Sequence, residues 1–236
     1  MATFVLVHGA WGGAHGWRKL RPLLREAGHD VFTPSLTGIG ERSHLSSPQV
    51  TLFTHVQDVV NAVYYEDLTD ITLVGYSYGG MVVTGSLDYV GDRVKHLVYL
   101  DAFVPGDGQS LNALTGALKE GEPRPLPGQN WLRQPMARGY DNPADTAFSE
   151  PRRSPQPEGT FSEPVRLQRP LENWSVSLTY IKATADARGQ GAGAFWTAGD
   201  NAKASPRWNY YEVDTNHMVP FNKPRELADI LLEVTR

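Results

Sequence analysis

The sequence predicts an α/β fold in which a mostly parallel central sheet is covered by helices on both faces. Short apolar runs alternate along the chain with segments that show the 3.6-residue period of amphipathic helices. The runs are almost continuously apolar, which is typical of parallel strands because helices cover both faces of such a sheet. In addition, a Gly-x-Ser-x-Gly turn at 75–79 joins one apolar run directly to a helical pattern.

The first hundred residues contain most of the predicted sheet. Leu20, Leu23 and Leu24 share one face of the first helical pattern, and Gly28 follows it as a stop signal. Each later apolar run and helical pattern is assigned from its periodicity in the same way. The predicted strands cover 3–7, 30–36, 71–74 and 94–100, and the predicted helices cover 17–27, 54–65 and 81–89.

The alternation is interrupted between residues 106 and 169 by a segment rich in proline and arginine. We interpret 106–169 as a small cap inserted over the edge of the sheet where the strands end. A solvated loop is the alternative, but the apolar side chains of the segment require a surface to cover. The helical patterns in the segment are short, such as the one at 110–119, and the apolar side chains are Leu111, Leu114, Trp131, Met136, Tyr140 and Phe148.

The alternation then resumes and completes the predicted core. Strands are expected at 178–183 and 208–213, and helices at 195–203 and 224–234. We therefore predict a single domain, with a core formed by 1–105 and 170–236 and a cap formed by 106–169.

Composition restricts the classes of partner and cofactor. The 236 residues are 40% hydrophobic and 20% charged, with a formal net charge of −4, which does not favour nucleic acid or membrane as a partner. There are no cysteines for disulfides or thiolate metal sites, and no histidine–carboxylate group has metal-binding spacing. The Gly-x-Gly at 38–40 lacks the continuation of a dinucleotide fingerprint. We expect no cofactor and no metal.

The first residues of the chain indicate where in the cell the protein is expected. Met1 leads almost directly into a strand, without a basic region followed by a long apolar stretch. We therefore expect a cytoplasmic protein with no signal peptide and no membrane span.

Ser77 is the predicted nucleophile. In the turn at 75–79, the glycines allow a strand to pass abruptly into a helix, so that the Ser77 hydroxyl stands above the sheet. A Gly-x-Ser-x-Gly sequence also occurs by chance in turns, but here a strand precedes it and a helix follows. A serine hydroxyl needs a general base at neutral pH. His217, which lies between the last strand and the last helix, is the predicted base.

Two carboxylates could orient the imidazole of His217, because each closes a predicted strand between the nucleophile and the base. Asp101 lies in an apolar stretch, where a carboxylate is costly unless it is paired, and this favours Asp101. Asp186 precedes a glycine-rich stretch that would hold an acid less firmly. Both aspartates remain candidates.

Acyl transfer also needs donors for the oxyanion that forms. The backbone N–H of Tyr78, directly after the nucleophile, is one candidate. The backbone N–H of Ala10, in the loop after the first strand, is the other.

These residues resemble the α/β-hydrolase superfamily, and in particular the branch that contains plant methyl esterases, hydroxynitrile lyases and bacterial esterase relatives. The resemblance covers roughly 3–105 and 155–236. It rests on Phe-Val-Leu-Val-His-Gly-Ala-Trp at 4–11, Gly-Tyr-Ser-Tyr-Gly-Gly-Met at 75–81, Tyr-Ile-Lys-Ala-Thr-Ala-Asp at 180–186, and His-Met at 217–218 followed by Phe-Asn-Lys-Pro at 221–224.

The resemblance implies the α/β-hydrolase fold and a serine mechanism, and it leaves the acid open. The plant esterases have their acid where Asp186 falls, whereas haloalkane dehalogenases place theirs after the strand that ends here at Asp101. Hydroxynitrile lyases of this branch have threonine at the position of Gly9 and lysine at the position of Met218. Neither is present, which disfavours lyase activity.

The sequence therefore predicts an esterase with a Ser-His-Asp triad that cleaves a carboxylic ester of a hydrophobic small molecule through an acyl-enzyme. An amide or a carbamate could be cleaved with the same groups. The alternative is a non-hydrolytic member of the fold, either a lyase or cyclase that uses His217 as a base or a small-molecule binding protein. The sequence makes no prediction of oligomeric state.

Overall fold

The computed structural model of the protein describes residues 1–117, 131–189 and 193–236. The strands are Thr3–Val7 (β1), Asp30–Phe32 (β2), Ile71–Tyr76 (β3), Val94–Leu100 (β4), Leu132–Arg133 (β5), Gln156–Pro157 (β6), Ser177–Ala183 (β7) and Trp208–Val213 (β8). The α-helices are Leu20–Glu26 (α1), Leu52–Tyr65 (α2), Gly79–Val90 (α3), Leu111–Thr115 (α4), Pro143–Ser149 (α5), Gly159–Ser162 (α6), Gly193–Ala204 (α7), Val219–Asn222 (α8) and Pro224–Val234 (α9).

Six strands form the central sheet in the order β2-β1-β3-β4-β7-β8, and each neighbouring pair runs parallel. The predicted fold class is confirmed. The chain adds β2 on one side of β1 and then returns to add β3 on the other side. Ligands bind in open α/β sheets where the strand order reverses in this way, at the carboxyl ends of the strands. That crevice lies here between β1 and β3.

Alternate side chains of each strand enter two separate apolar layers, as the pleat of a strand requires. Val5, Leu73 and Leu97 face α2 and α3. Leu6 and Val98, on the other face, pack with α1 and α9. Both faces of the sheet are therefore covered, and the carboxyl ends of the strands are left for the site.

Several element boundaries differ from the predicted ones for identifiable reasons. Strand β2 ends at Phe32 rather than at residue 36, since Pro34 has no N–H to donate to a neighbouring strand. Helix α2 begins at Leu52 because Thr51 and Thr54 form a reciprocal capping box ahead of the predicted start. Helix α1 begins at Leu20, after a separate 3₁₀ turn at Ala14–Trp17.

In the segment 106–169, the described residues 106–117 and 131–169 form short elements that pack on the core. Helix α4 covers only part of the helix predicted at 110–119, whose last two residues lie outside the described residues. Strands β5 and β6 form a small antiparallel sheet. Leu111 is buried, Leu114, Trp131, Tyr140 and Phe148 are half-buried, and Met136 is exposed. The extent of the cap remains a prediction.

In the part of the chain that the structure describes, no helix is both long enough and apolar enough to cross a membrane.

Candidate active site

Ser77 occupies the sharp turn between β3 and α3 with a φ of 56°, a left-handed conformation that is costly for any residue with a Cβ. The flanking glycines are required by close packing. A Cβ on Gly75 would lie 2.6 Å from Cγ2 of Val83, and a Cβ on Gly79 would lie 2.6 Å from the carbonyl oxygen of Val7. The turn therefore brings the start of α3 directly against β1.

His217 follows β8 and connects two of the predicted site residues. Its Nε2 lies 2.9 Å from Oγ of Ser77, and its Nδ1 lies 2.6 Å from Oδ2 of Asp101. All three side chains are almost fully buried. The neutral ring can donate from Nδ1 to the carboxylate and accept the serine proton at Nε2. Residues from the ends of three strands thus form one continuous hydrogen-bonded chain.

Asp186, the other candidate acid, makes no hydrogen bond to the imidazole ring. Its Oδ2 accepts the backbone N–H of His217 at a distance of 2.7 Å. The structure therefore places Asp101 on the ring and Asp186 on the backbone of the same histidine.

Aromatic rings hold the imidazole of His217 in place. The ring centroid of Phe195 lies 4.7 Å from that of the imidazole, with 11° between the planes, and the Tyr76 centroid lies 5.0 Å away. The Tyr76 hydroxyl also donates to the backbone carbonyl of His217. Burial lowers the pKa of His217 below its usual value, although the hydrogen bond and charge of Asp101 oppose this effect. The ring is consequently held neutral at neutral pH, as a general base must be.

Ala10 lines the same cavity as Ser77, and Tyr78 follows Ser77 directly in the chain. Within the described residues, neither N–H donates a hydrogen bond. His8 fixes the loop that contains Ala10, because its Nδ1 bonds the carbonyl oxygen of Gly9 at 2.9 Å and its Nε2 accepts the N–H of Leu36. Burial lowers the pKa of His8 to about 4, so this ring has a structural role as a neutral group.

A model of the alpha/beta hydrolase family matches residues 4–230. The chain belongs to this family. It is 55% identical over 114 residues to a carbendazim hydrolyzing esterase of Nocardioides sp. (strain SG-4G), a match that covers 48% of this chain and 47% of that protein. The aligned stretch therefore spans about half the length of that relative.

Two plant α/β hydrolases are also similar. The putative methylesterase 19 of Arabidopsis thaliana is 26% identical over 261 residues, which cover 98% of this chain and 96% of that protein. The salicylic acid-binding protein 2 of Nicotiana tabacum is 33% identical over 132 residues, which cover 55% and 48% of the two chains.

Solved structures agree with the fold of this α/β hydrolase. An extracellular alpha/beta-hydrolase from a Paenibacillus species superposes with a TM-score of 0.73 at 24% identity, covering 100% of both chains. The methylketone synthase I of tomato superposes with a TM-score of 0.74 at 21% identity, covering 99% of this chain and 97% of that one. At these identities the likeness shows the fold alone.

A largely apolar cavity opens beside Ser77. Arg138 and Arg153 contribute positive charge to its wall, and they come from the segment predicted to be the cap. The apolar residues of the wall include Trp11, Trp17, Tyr76, Tyr140, Met218 and Phe221. No group of three or more histidines, cysteines or carboxylates suited to a metal ion occurs among the described residues.

Sequence reasoning missed two residues that this α/β hydrolase brings to the site. Gln156 accepts the backbone N–H of Trp11 at 2.8 Å, and so ties the loop after β1 to the cap segment. Nothing in the sequence pattern indicates this contact. Lys182 bonds Asp101, and here a signal existed, because a lysine inside an almost wholly apolar strand requires a buried partner.

Proposed function

We propose that this α/β hydrolase cleaves a carboxylic ester of a hydrophobic small molecule through an acyl-enzyme on Ser77. The observation that carries the proposal is the hydrogen-bonded chain of Asp101, His217 and Ser77, with distances of 2.6 and 2.9 Å. This arrangement suits acyl transfer, since a serine becomes nucleophilic when an oriented base accepts its proton.

The reaction proceeds in two halves. Oγ of Ser77 attacks the ester carbonyl while its proton passes to Nε2 of His217. As the tetrahedral intermediate collapses, the imidazolium gives that proton to the leaving alkoxide, and the alcohol departs. Water then attacks the acyl-enzyme, again losing a proton to His217, and the acid is released as Ser77 regains the proton.

Asp101 assists both halves by accepting the Nδ1–H of His217, which fixes the tautomer and stabilises the transient imidazolium. The backbone N–H groups of Ala10 and Tyr78 receive the oxyanion. In such sites, loss of one donor costs about 10²–10³-fold in rate.

The apolar cavity beside Ser77 supports a hydrophobic substrate. The relatives support an ester, since they include a carbendazim hydrolyzing esterase and plant methylesterases. Gly9 and Met218, where hydroxynitrile lyases of this branch have threonine and lysine, argue against a lyase. Because Ala10, Ser77, Asp101 and His217 all follow strands of the central sheet (β1, β3, β4 and β8), we assign the substrate preference to the cap side of the cavity.

The test is hydrolysis of p-nitrophenyl esters, methyl esters and carbendazim by the wild type and by Ser77→Ala, together with labelling by a fluorophosphonate. We expect wild-type turnover, loss of nearly all of it in Ser77→Ala, and a label on Ser77. The matched control is Ser86→Ala, which removes another buried serine, one that bonds only within α3.

The outcomes separate the alternatives. A wild type that neither turns over nor accepts the label would favour a binding protein. Turnover that persists in Ser77→Ala would favour a lyase or cyclase in which His217 acts as a base without an acyl-enzyme.

A further inference from the structure

Lys182 lies in β7 and is fully buried, with no exposed side-chain surface. Its Nζ donates to Oδ1 of Asp101 at 2.6 Å and to the carbonyl oxygen of Ala183 at 2.5 Å. The ammonium also lies 4.3 Å from the ring centroid of Trp196. Two oxygens and an aromatic face therefore surround this charge, as a buried ammonium requires.

The two oxygens of the Asp101 carboxylate bond different side chains. Oδ2 accepts a hydrogen bond from Nδ1 of His217. Oδ1 accepts one from Nζ of Lys182 and a longer one, of 3.3 Å, from the backbone N–H of Ala183. Among the described residues, that long bond is the one hydrogen bond that Oδ1 would keep without Lys182, so the carboxylate would be held less firmly against the ring. Asp101 itself has a φ of 40°, so its backbone is also held in a conformation that side chains rarely adopt.

An ion pair this deeply buried is a poor source of stability. Removing two charges from water is costly, and replacement of both partners of a buried ion pair by apolar residues of similar size is often neutral or stabilising. Two apolar side chains in place of Lys182 and Asp101 would avoid this cost, whereas removal of Lys182 alone would leave the carboxylate of Asp101 buried without its cationic partner. A functional explanation for the lysine is therefore more direct than a structural one.

We propose that Lys182 is a positioning residue for the hydrolysis, which holds the Asp101 carboxylate against His217 and offsets part of its negative charge at the imidazole. This inference rests on the proposed serine mechanism. A nearby anion stabilises the protonated ring, whereas a cation behind the anion opposes that effect. Lys182 thus keeps the imidazole of His217 unprotonated down to a lower pH than Asp101 alone would permit.

Other charged or titratable groups around the pair come from several elements, and they stay unchanged in the test below. Those that act on the Asp101–His217 pair or bond to it are Tyr76, Arg138, Tyr180 and Asp186.

The experiment compares kcat/KM as a function of pH for the wild type, Lys182→Met and Lys203→Met. Lys203 is the matched control, since it lies in the neighbouring helix α7, is 60% exposed and pairs with Glu212. We expect Lys182→Met to lower kcat by about 10- to 100-fold through looser positioning, with KM nearly unchanged. We also expect the acid limb of the kcat/KM profile of this variant to move to higher pH by about one unit, because the imidazole of His217 loses a neighbouring cation. Lys203→Met should match the wild type.

An acid limb that does not move in Lys182→Met would overturn the proposal, even if the variant is slower. If that variant fails to fold, the double variant Asp101→Asn/Lys182→Met, which removes both buried charges, is compared with Asp101→Asn. A positioning role that acts through Asp101 predicts equal kcat values within about threefold, since coupled residues are not additive. A further tenfold loss would contradict it.

Failure of the proposed function gives a different result. A wild type without Ser77-dependent turnover would remove both the serine mechanism and the role of Lys182. Wild-type turnover that Ser77→Ala abolishes, combined with an unmoved acid limb in Lys182→Met, would remove only the role of Lys182.

Discussion

The carboxylate of Asp101 bonds the ring of His217, with 2.6 Å between Oδ2 and Nδ1, whereas the carboxylate of Asp186 bonds only the backbone N–H of that histidine. We therefore expect Asp101→Asn to lower kcat by about 10³–10⁴-fold, because an amide favours the wrong tautomer of the base. Asp186→Asn should cost about tenfold or less. Steady-state kinetics measure both losses, with whichever of the tested esters the wild type hydrolyses fastest. The reverse order of losses would identify Asp186 as the triad acid.

Ser77 should be less favourable for stability than glycine would be. Its φ of 56° costs a residue with a Cβ about 1 kcal/mol or more relative to glycine. We expect Ser77→Gly and Ser77→Ala to be equally inactive, but Ser77→Gly to unfold at higher urea concentration than Ser77→Ala. Urea denaturation of the two variants checks this. Equal midpoints would show that the turn stores no strain at this residue.

Gly9 leaves no room for a side chain beside the nucleophile. A Cβ at this position would lie 2.9 Å from Cβ of Ser77, so one of the two groups must shift. We expect Gly9→Ala to lower kcat/KM by about 10- to 100-fold, because a small displacement of the reacting groups is costly. Gly189→Ala is the control, since a Cβ there meets nothing within 4 Å and the residue is exposed outside the cavity. Similar activities for the two variants would refute the expectation.

Two buried histidines should make the fold sensitive to acid. Burial lowers the pKa of His8 to about 4 and that of His55 to about 3, so both rings are neutral in the folded protein. The unfolded chain takes up a proton on each below about pH 6.5. Their contribution to stability is therefore complete above pH 6.5 and is lost progressively as the pH falls toward 4 and then 3.

Urea unfolding at pH 7 and at pH 4.5 measures this dependence. We expect the wild type to lose several kcal/mol between the two, and His55→Gln to lose less over the same interval, although it is less stable at pH 7. His44→Gln, which changes an exposed histidine, should keep the wild-type dependence. A His55→Gln variant with the full dependence would show that His55 is not one of the responsible groups.

The central sheet was predictable because its strands are nearly continuous apolar runs. Ile71–Tyr76 is buried except for its last residue, and Val94–Leu100 is buried from Leu97 onward, as is typical of parallel strands covered on both faces. Boundaries were less predictable, since they depend on single residues such as Pro34 and Thr51. The α/β-hydrolase resemblance is confirmed, but the roles of the site residues remain predictions.

The choice between Asp101 and Asp186 could not follow from sequence alone, because both close strands at the same edge of the sheet. Only the three-dimensional placement of His217 distinguishes a ring contact from a backbone contact. The tie between Gln156 and Trp11 likewise joins residues 145 positions apart without any local pattern.

The chain from Asp101 through His217 to Ser77 also has a consequence for the order of folding. His217 is 116 residues from Asp101 and 140 residues from Ser77 along the chain, and it follows the edge strand β8. Pairings between such distant segments are slow to form, because closing long loops costs entropy before any contact compensates for it. A chain in which β8 has not yet joined β7 would have no base beside its serine, and regained activity would therefore mark the arrival of the final strand.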